Sequence, residues 1–188
     1  LQPVFAQIVA QSQATLPVAG LVRNLDALLG QGGVIGIKTG NTDQAGGCFV
    51  MAADLTVDGI AIRVYGAVMG QPNELAGAFK ATSALLQGLV PALHARTVVH
   101  RNDVVARYRT AWDEAGTIVA GQSVTWVLLD GTALSRQVKL DDLPSTLPAG
   151  TRVGTLVLVA GSRQSEVPLV IAAPVNGPGA GWRLTRGL

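Results

Sequence analysis

The sequence predicts an α+β protein in two parts: three β-prone runs followed by one long amphipathic helix, then a second part built from short β runs alone. Three observations carry this. Val34 to Thr39, Gly47 to Asp54 and Ile60 to Met69 are rich in β-branched and apolar residues and are separated by Gly, Asn and Asp. Leu75, Ala78, Phe79, Thr82, Leu85, Leu86, Leu89, Val90 and Leu93 fall on one stripe at 3.6-residue spacing. Beyond Arg96, short β-prone runs alternate with Gly, Pro, Asp and Ser without any further helical pattern. We therefore expect residues 1–96 to form one domain and residues 97–188 a β-rich second one, sandwich-like or barrel-like.

Each element follows from its residues. Val4, Phe5, Ile8 and Val9 recur at helical spacing ahead of Leu16-Pro17, so a short amphipathic helix opens the chain. The three β runs read as sequential antiparallel strands, and Asp58-Gly59 between the second and third is a hairpin signal, because glycine there supplies the positive φ of a tight primed turn. Asn73 suits an N-cap with Glu74 in the first turn of a helix over 73–95, with a kink or an end near Pro91. In the second part, strands are expected at 98–100, 104–108, 123–129, 136–140, 152–160 and 166–172. The last two should pair as a hairpin through 161–165, and Gly177 to Gly181 should loosen the chain before Trp182.

Composition removes several classes of function. The net charge is +2 and the basic residues are interleaved with acids, so no nucleic-acid surface is expected. No apolar run reaches the length of about 18 residues that a spanning helix needs. Cys48 is the single cysteine, which excludes an intramolecular disulfide and a cysteine-based metal site. It reads as a small buried hydrophobe in an apolar strand. His94 and His100 share no ligand pattern and read as surface histidines, so neither a metal nor a cofactor is expected. Trp112, Trp126 and Trp182 read as core or edge packing rather than a sugar-stacking face. The chain starts at Leu1 without an initiator Met or a charged leader, and we expect a fragment.

One segment demands a chemical reading, Gly36-Ile37-Lys38-Thr39-Gly40-Asn41-Thr42-Asp43. A phosphate loop would need glycine directly before the lysine and a helix directly after it; here Ile37 precedes Lys38, and a turn and strand follow. Lys-Thr-Gly at the end of an edge strand suits an extended peptide lying alongside and ending in a carboxylate. Lys38 would supply the cation and Thr39 a hydroxyl donor. Gly40 would let a reacting carbonyl approach the backbone. Asp43 reads as a turn residue that bonds nearby backbone rather than a catalytic acid.

The run from Gly36 to Gly46, Gly-Ile-Lys-Thr-Gly-Asn-Thr-Asp-Gln-Ala-Gly, resembles the third motif of the serine D-alanyl-D-alanine carboxypeptidases, the low-molecular-mass penicillin-binding proteins. Phe5 to Val9, Asn24 followed by Leu28-Leu29, Cys48 to Ala53 and Gly66 to Gly70 stand around it in the family's order, so the resemblance spans about the first 95 residues. It implies the C-terminal part of a β-lactamase/transpeptidase-like domain followed by an all-β module. It gives Lys38, Thr39 and Gly40 the terminal carboxylate of a D-Ala-D-Ala stem peptide, gives Lys38 a share in the proton path, and makes the backbone N–H of Asn41 an oxyanion donor. It also implies peptidoglycan stem peptides and β-lactams as partners and an extracytoplasmic location. The glycine-rich stretch before Trp182 would suit a spacer toward a membrane anchor.

The family's nucleophile sits in Ser-x-x-Lys and its second motif reads Ser-x-Asn. None of the seven serines stands in either pattern; Ser135 meets Lys139 one place too late. We expect this chain to be the carboxylate-binding portion of a carboxypeptidase whose nucleophile lies on a missing N-terminal half. The alternative is a non-catalytic cell-envelope binding or scaffold protein that keeps the groove. A β-lactamase is disfavoured by the carboxypeptidase-like flank and the extra β module.

Overall fold

The computed structural model describes residues 2–185. The chain divides into two compact units with the boundary between Ala95 and Arg96.

The first unit runs α1 (Pro3–Val9), β1 (Gln13–Leu16), β2 (Gly20–Arg23), β3 (Val34–Thr42), β4 (Gly46–Val57), β5 (Ile60–Gln71) and α2 (Glu74–Leu89). β3, β4 and β5 form an antiparallel sheet in that order, as the alternating runs require. The β4–β5 turn is two residues, Asp58 at φ 48° and Gly59 at φ 82°, both positive as the primed hairpin demands. α2 covers one sheet face: Val34, Phe49, Met51 and Ala53 pack with Ala78 and Leu86, and Phe49 meets Phe79 edge-on at 5.3 Å between ring centres. The approach is close at Gly47, where an added Cβ would stand 1.7 Å from the carbonyl oxygen of Glu74.

Three features depart from the sequence expectation. The helix ends near Pro91 as expected, at Leu89 with a 3-10 turn over Val90–Ala92, but residues 93–95 begin a strand instead of completing the helix. Pro91 has no N–H to give to the carbonyl four residues back, so the apolar stripe through Leu93 continues as strand, not helix. Asn73 occupies the N-cap position in a left-handed conformation, and its side chain makes no capping bond. β1 and β2 form a separate two-stranded hairpin that carries no alternating pattern.

The second unit contains β6 (Leu93–Val99, starting at the boundary), β7 (Val104–Arg109), β8 (Ala115–Ala120), β9 (Val124–Leu129), β10 (Ser135–Leu140), β11 (Arg152–Ala160), β12 (Arg163–Ile171) and α3 (Ala180–Thr185). A five-stranded sheet in the order β10-β11-β12-β8-β7 and the pair β6-β9 bury a common core of Val98, Val99, Ile118, Trp126, Leu158 and Leu169 among others. This is a sandwich-like module. Trp126 is fully packed, with the Arg163 guanidinium 5.1 Å from its ring centre. The β11–β12 turn is tighter than expected, pairing already at Ala160 and Arg163. The stretch expected to be loose ends instead in α3, where Trp182 packs edge-on against Trp112 at 5.8 Å. Both indole N–H groups are satisfied by backbone, that of Trp112 by the Asn176 carbonyl and that of Trp182 by the Ala111 carbonyl. These two tryptophans are packing residues. No helix among the described residues is long and apolar enough to cross a membrane.

Candidate functional site at the edge of the first sheet

β3 is the terminal strand of its sheet, hydrogen-bonded to β4 on one side. The backbone groups of its other side are therefore placed to pair with an added extended chain. The register sets Lys38 opposite Val50, Thr39 opposite Phe49, Gly40 opposite Cys48 and Asn41 opposite Gly47. Because side chains alternate along a strand, Lys38 and Gly40 share the face away from α2, whereas Thr39 lies on the face of Phe49. The sequence reading assigned Lys38 and Thr39 to one carboxylate; in this register they meet a common ligand only along the free edge of the strand.

Lys38 is exposed, and its ammonium folds back to donate to the carbonyl of Thr39. Apart from its chain neighbours, nothing lies within 4 Å of where a Gly40 side chain would begin, so the strand face two residues on from Lys38 is open. Val50 next to Lys38 is 40% exposed and gives that face an apolar margin. The turn that follows is held by Thr42, whose hydroxyl accepts the N–H of Ala45 at 3.0 Å, a role the sequence reading gave to Asp43. The Cys48 thiol points at the same turn, 3.5 Å from the Ala45 carbonyl and 3.8 Å from that of Gly46.

Two further groups shape the surroundings. On the same face as Lys38, Asp54 and Arg63 sit opposite each other on β4 and β5 and form a two-point pair, Nε–Oδ1 at 2.6 Å and Nη2–Oδ2 at 2.8 Å. The guanidinium holds the Asp54 carboxyl below its ordinary pKa. Each thereby neutralises the other, whereas the Lys38 ammonium is bonded to a carbonyl.

The second group is Asp26, in the loop that leads into β3, which the sequence reading missed. It is 9% exposed; Oδ1 accepts the N–H of Leu28 at 2.9 Å, and Oδ2 is buried without a partner. Burial pushes its carboxyl above the ordinary value, against the pull of the Leu28 and Leu29 N–H groups. The Asn-x-Asp spacing ahead of a turn was the available signal, since such side chains bond the backbone two residues on.

Elsewhere, His100 lies against Asp103, with Nδ1 3.7 Å from Oδ2. Among the described residues, no group of three or more His, Cys, Asp or Glu could hold a metal ion.

No protein-family model matches the sequence, and no curated protein matches it. Solved structures do. Penicillin binding protein 5 from Haemophilus influenzae superposes with a TM-score of 0.52 at 21% identity, over 93% of this chain and 52% of that one. A peptidoglycan synthesis regulatory factor, PBP3, from Streptococcus pneumoniae gives 0.53 at 22% identity, over 93% and 53%. The D-alanyl-D-alanine carboxypeptidase DacD from Francisella tularensis gives 0.46 at 23% identity over 84% and 40%, too low a score to carry an argument. The chain spans about half the length of the first two. The fold is shared with them, and in this chain residues 36–42 of the motif lie on the terminal strand β3. The chain has the fold of about half of each of these two penicillin-binding proteins.

Proposed function

We propose that this chain is the carboxylate-binding portion of a peptidoglycan D-alanyl-D-alanine carboxypeptidase that works outside the cytoplasm. The observation that carries the reading is the exposed Lys38, with an open face two residues on at Gly40, on a terminal strand. A stem peptide would lie antiparallel or parallel along β3 and pair with its free backbone groups. Its terminal carboxylate would draw the Lys38 ammonium away from the Thr39 carbonyl, and the Thr39 hydroxyl would reach the same carboxylate from the edge. The N–H of Asn41, at the far end of β3, would donate to the oxyanion of the tetrahedral intermediate; such a donor is typically worth a factor of about a hundred or more. The serine that attacks and the lysine that takes its proton would come from a segment bearing Ser-x-x-Lys, a pattern absent from residues 1–188. The chemistry is acylation followed by hydrolysis and calls for no metal or organic cofactor, and β-lactams would acylate the same serine.

That absence favours one rival, a non-catalytic envelope-binding protein that keeps the groove. A labelled penicillin separates the two. Label on a Ser-x-x-Lys segment, in the presence of this chain and lost on Lys38→Ala, supports the carboxypeptidase. Label on this chain itself, or no label with any such segment, overturns it.

A further inference from the structure

Asn24 has every hydrogen-bonding group of its backbone N–H and side chain engaged, and all of them tie segments that converge on the start of β3. Its Nδ2 donates to the carbonyls of Val9 at 3.1 Å and Gln11 at 3.0 Å. Its Oδ1 accepts the N–H of Asp26 at 3.0 Å, and its own N–H donates to the Ser12 carbonyl at 2.9 Å. One side chain thus joins the end of α1 to the loop that enters β3. The Val9 carbonyl that Asn24 holds also packs on Gly36, where a Cβ would stand 2.9 Å from the Val9 oxygen. Gly36 lies two residues before Lys38 on the same strand face.

From this geometry we infer that Asn24 is a positioning residue for Lys38: by fixing the Val9 carbonyl against Gly36, it sets where β3 and its ammonium stand relative to an incoming carboxylate. The inference rests on the reading of Lys38 as the carboxylate-binding group. A hydrogen-bond brace of this kind acts on placement rather than on charge, because Asn24 itself touches no ligand. The amide is needed as both donor and acceptor. Asp keeps the size and the acceptor but loses the two donors, and Ala loses all three side-chain bonds.

The test uses the full chain and an N-acetylated peptide ending in D-Ala-D-Ala, followed by the amide signals of Lys38, Thr39 and Gly40 in NMR. Asn24→Asp should weaken the peptide about tenfold and shift the Lys38 and Thr39 amides before ligand is added. A generic destabilisation would leave those amide positions and the affinity of the folded fraction unchanged, and that result overturns the inference. Wild-type affinity in a folded Asn24→Asp also overturns it, provided Lys38→Ala abolishes binding. If Lys38→Ala binds as well as wild type, the carboxylate reading fails first, and the unliganded Lys38 shift still decides the brace. Should Asn24→Asp not fold, exchange of the Asn24 side-chain amide protons in the wild type decides. Slow exchange at both supports the brace, and exchange at the rate of a free amide overturns it.

Discussion

Replacing Gly47 by alanine should damage the first unit out of proportion to one methyl group. The added Cβ would fall 1.7 Å from the Glu74 carbonyl oxygen and 2.4 Å from its carbonyl carbon, both backbone atoms in the first turn of α2. An ordinary contact between such atoms is about 3.5 Å, so α2 or β4 must move by close to 2 Å. Neither can do so without disturbing Phe49, Met51 and Ala78. Overpacking on a rigid neighbour costs about 3 kcal/mol at the upper end of the usual range. For a unit of this size that lowers the melting temperature by roughly 12–24 °C. Gly40→Ala is the matched control, since nothing lies within 4 Å of its added carbon. It should melt within a few degrees of wild type yet lose peptide binding, because the methyl group fills the open face. Circular dichroism melts of the two variants measure this, and a Gly47→Ala protein melting with wild type would refute the packing argument.

Four further outcomes follow from named groups. Asp26 has a raised carboxyl pKa in the folded state, so its contribution is fully present below the ordinary carboxylate value and is lost as pH rises through the folded one. Asp26→Asn should therefore melt higher than wild type at pH 7 and gain nothing at pH 3. Asp54 is opposite in sign: lowered by Arg63, it stabilises above the ordinary carboxylate range and loses that contribution as pH falls through its lowered value. Asp54→Asn and wild type should converge in acid, with only a small gap at neutral pH because the pair is exposed. Trp126→Ala should cost the β module about 3–5 kcal/mol and leave the amide dispersion of the first unit intact, as two-dimensional NMR would show. Phe5 and Ile8 of α1 are 53% and 59% exposed, alongside Leu21 and Leu25, so Phe5→Glu with Ile8→Glu should reduce self-association and binding of a hydrophobic dye in gel filtration and fluorescence.

Ala78, Thr82 and Leu86 of α2 are buried and Leu85 is its main exposed apolar residue, so the exposed apolar surface lies on α1 and the β1–β2 hairpin. Strong periodicity was legible: β4, β5 and α2 follow directly from alternation at 2.0 and 3.6 residues, and Asp58-Gly59 named its own turn. β8 was hidden because Ala115 and Gly116 dilute a run whose strand character comes from Ile118 and Val119 packing against β12. Pro91 marked the helix end, whereas the spacing of Leu93 alone carried the stripe past it into residues that form β6. At the site, the motif located Lys38, Thr39, Gly40 and Asn41 on one terminal strand. The alternation that separates Lys38 from Thr39 needed the register, and the burial of Asp26 and the bonds of Asn24 arise from residues distant in the chain, which no local pattern records.

The central claim is that β3 recognises a free carboxylate. Two N-acetylated peptides ending in D-Ala-D-Ala, one with a free C-terminal acid and one amidated, should be titrated against the isotopically labelled chain. The acid should shift the amide signals of Lys38, Thr39, Gly40 and Asn41, weaken with rising salt and lose its effect on Lys38→Ala, while the amide leaves those signals in place. Equal shifts from both peptides, or shifts confined to other residues, would contradict the central claim.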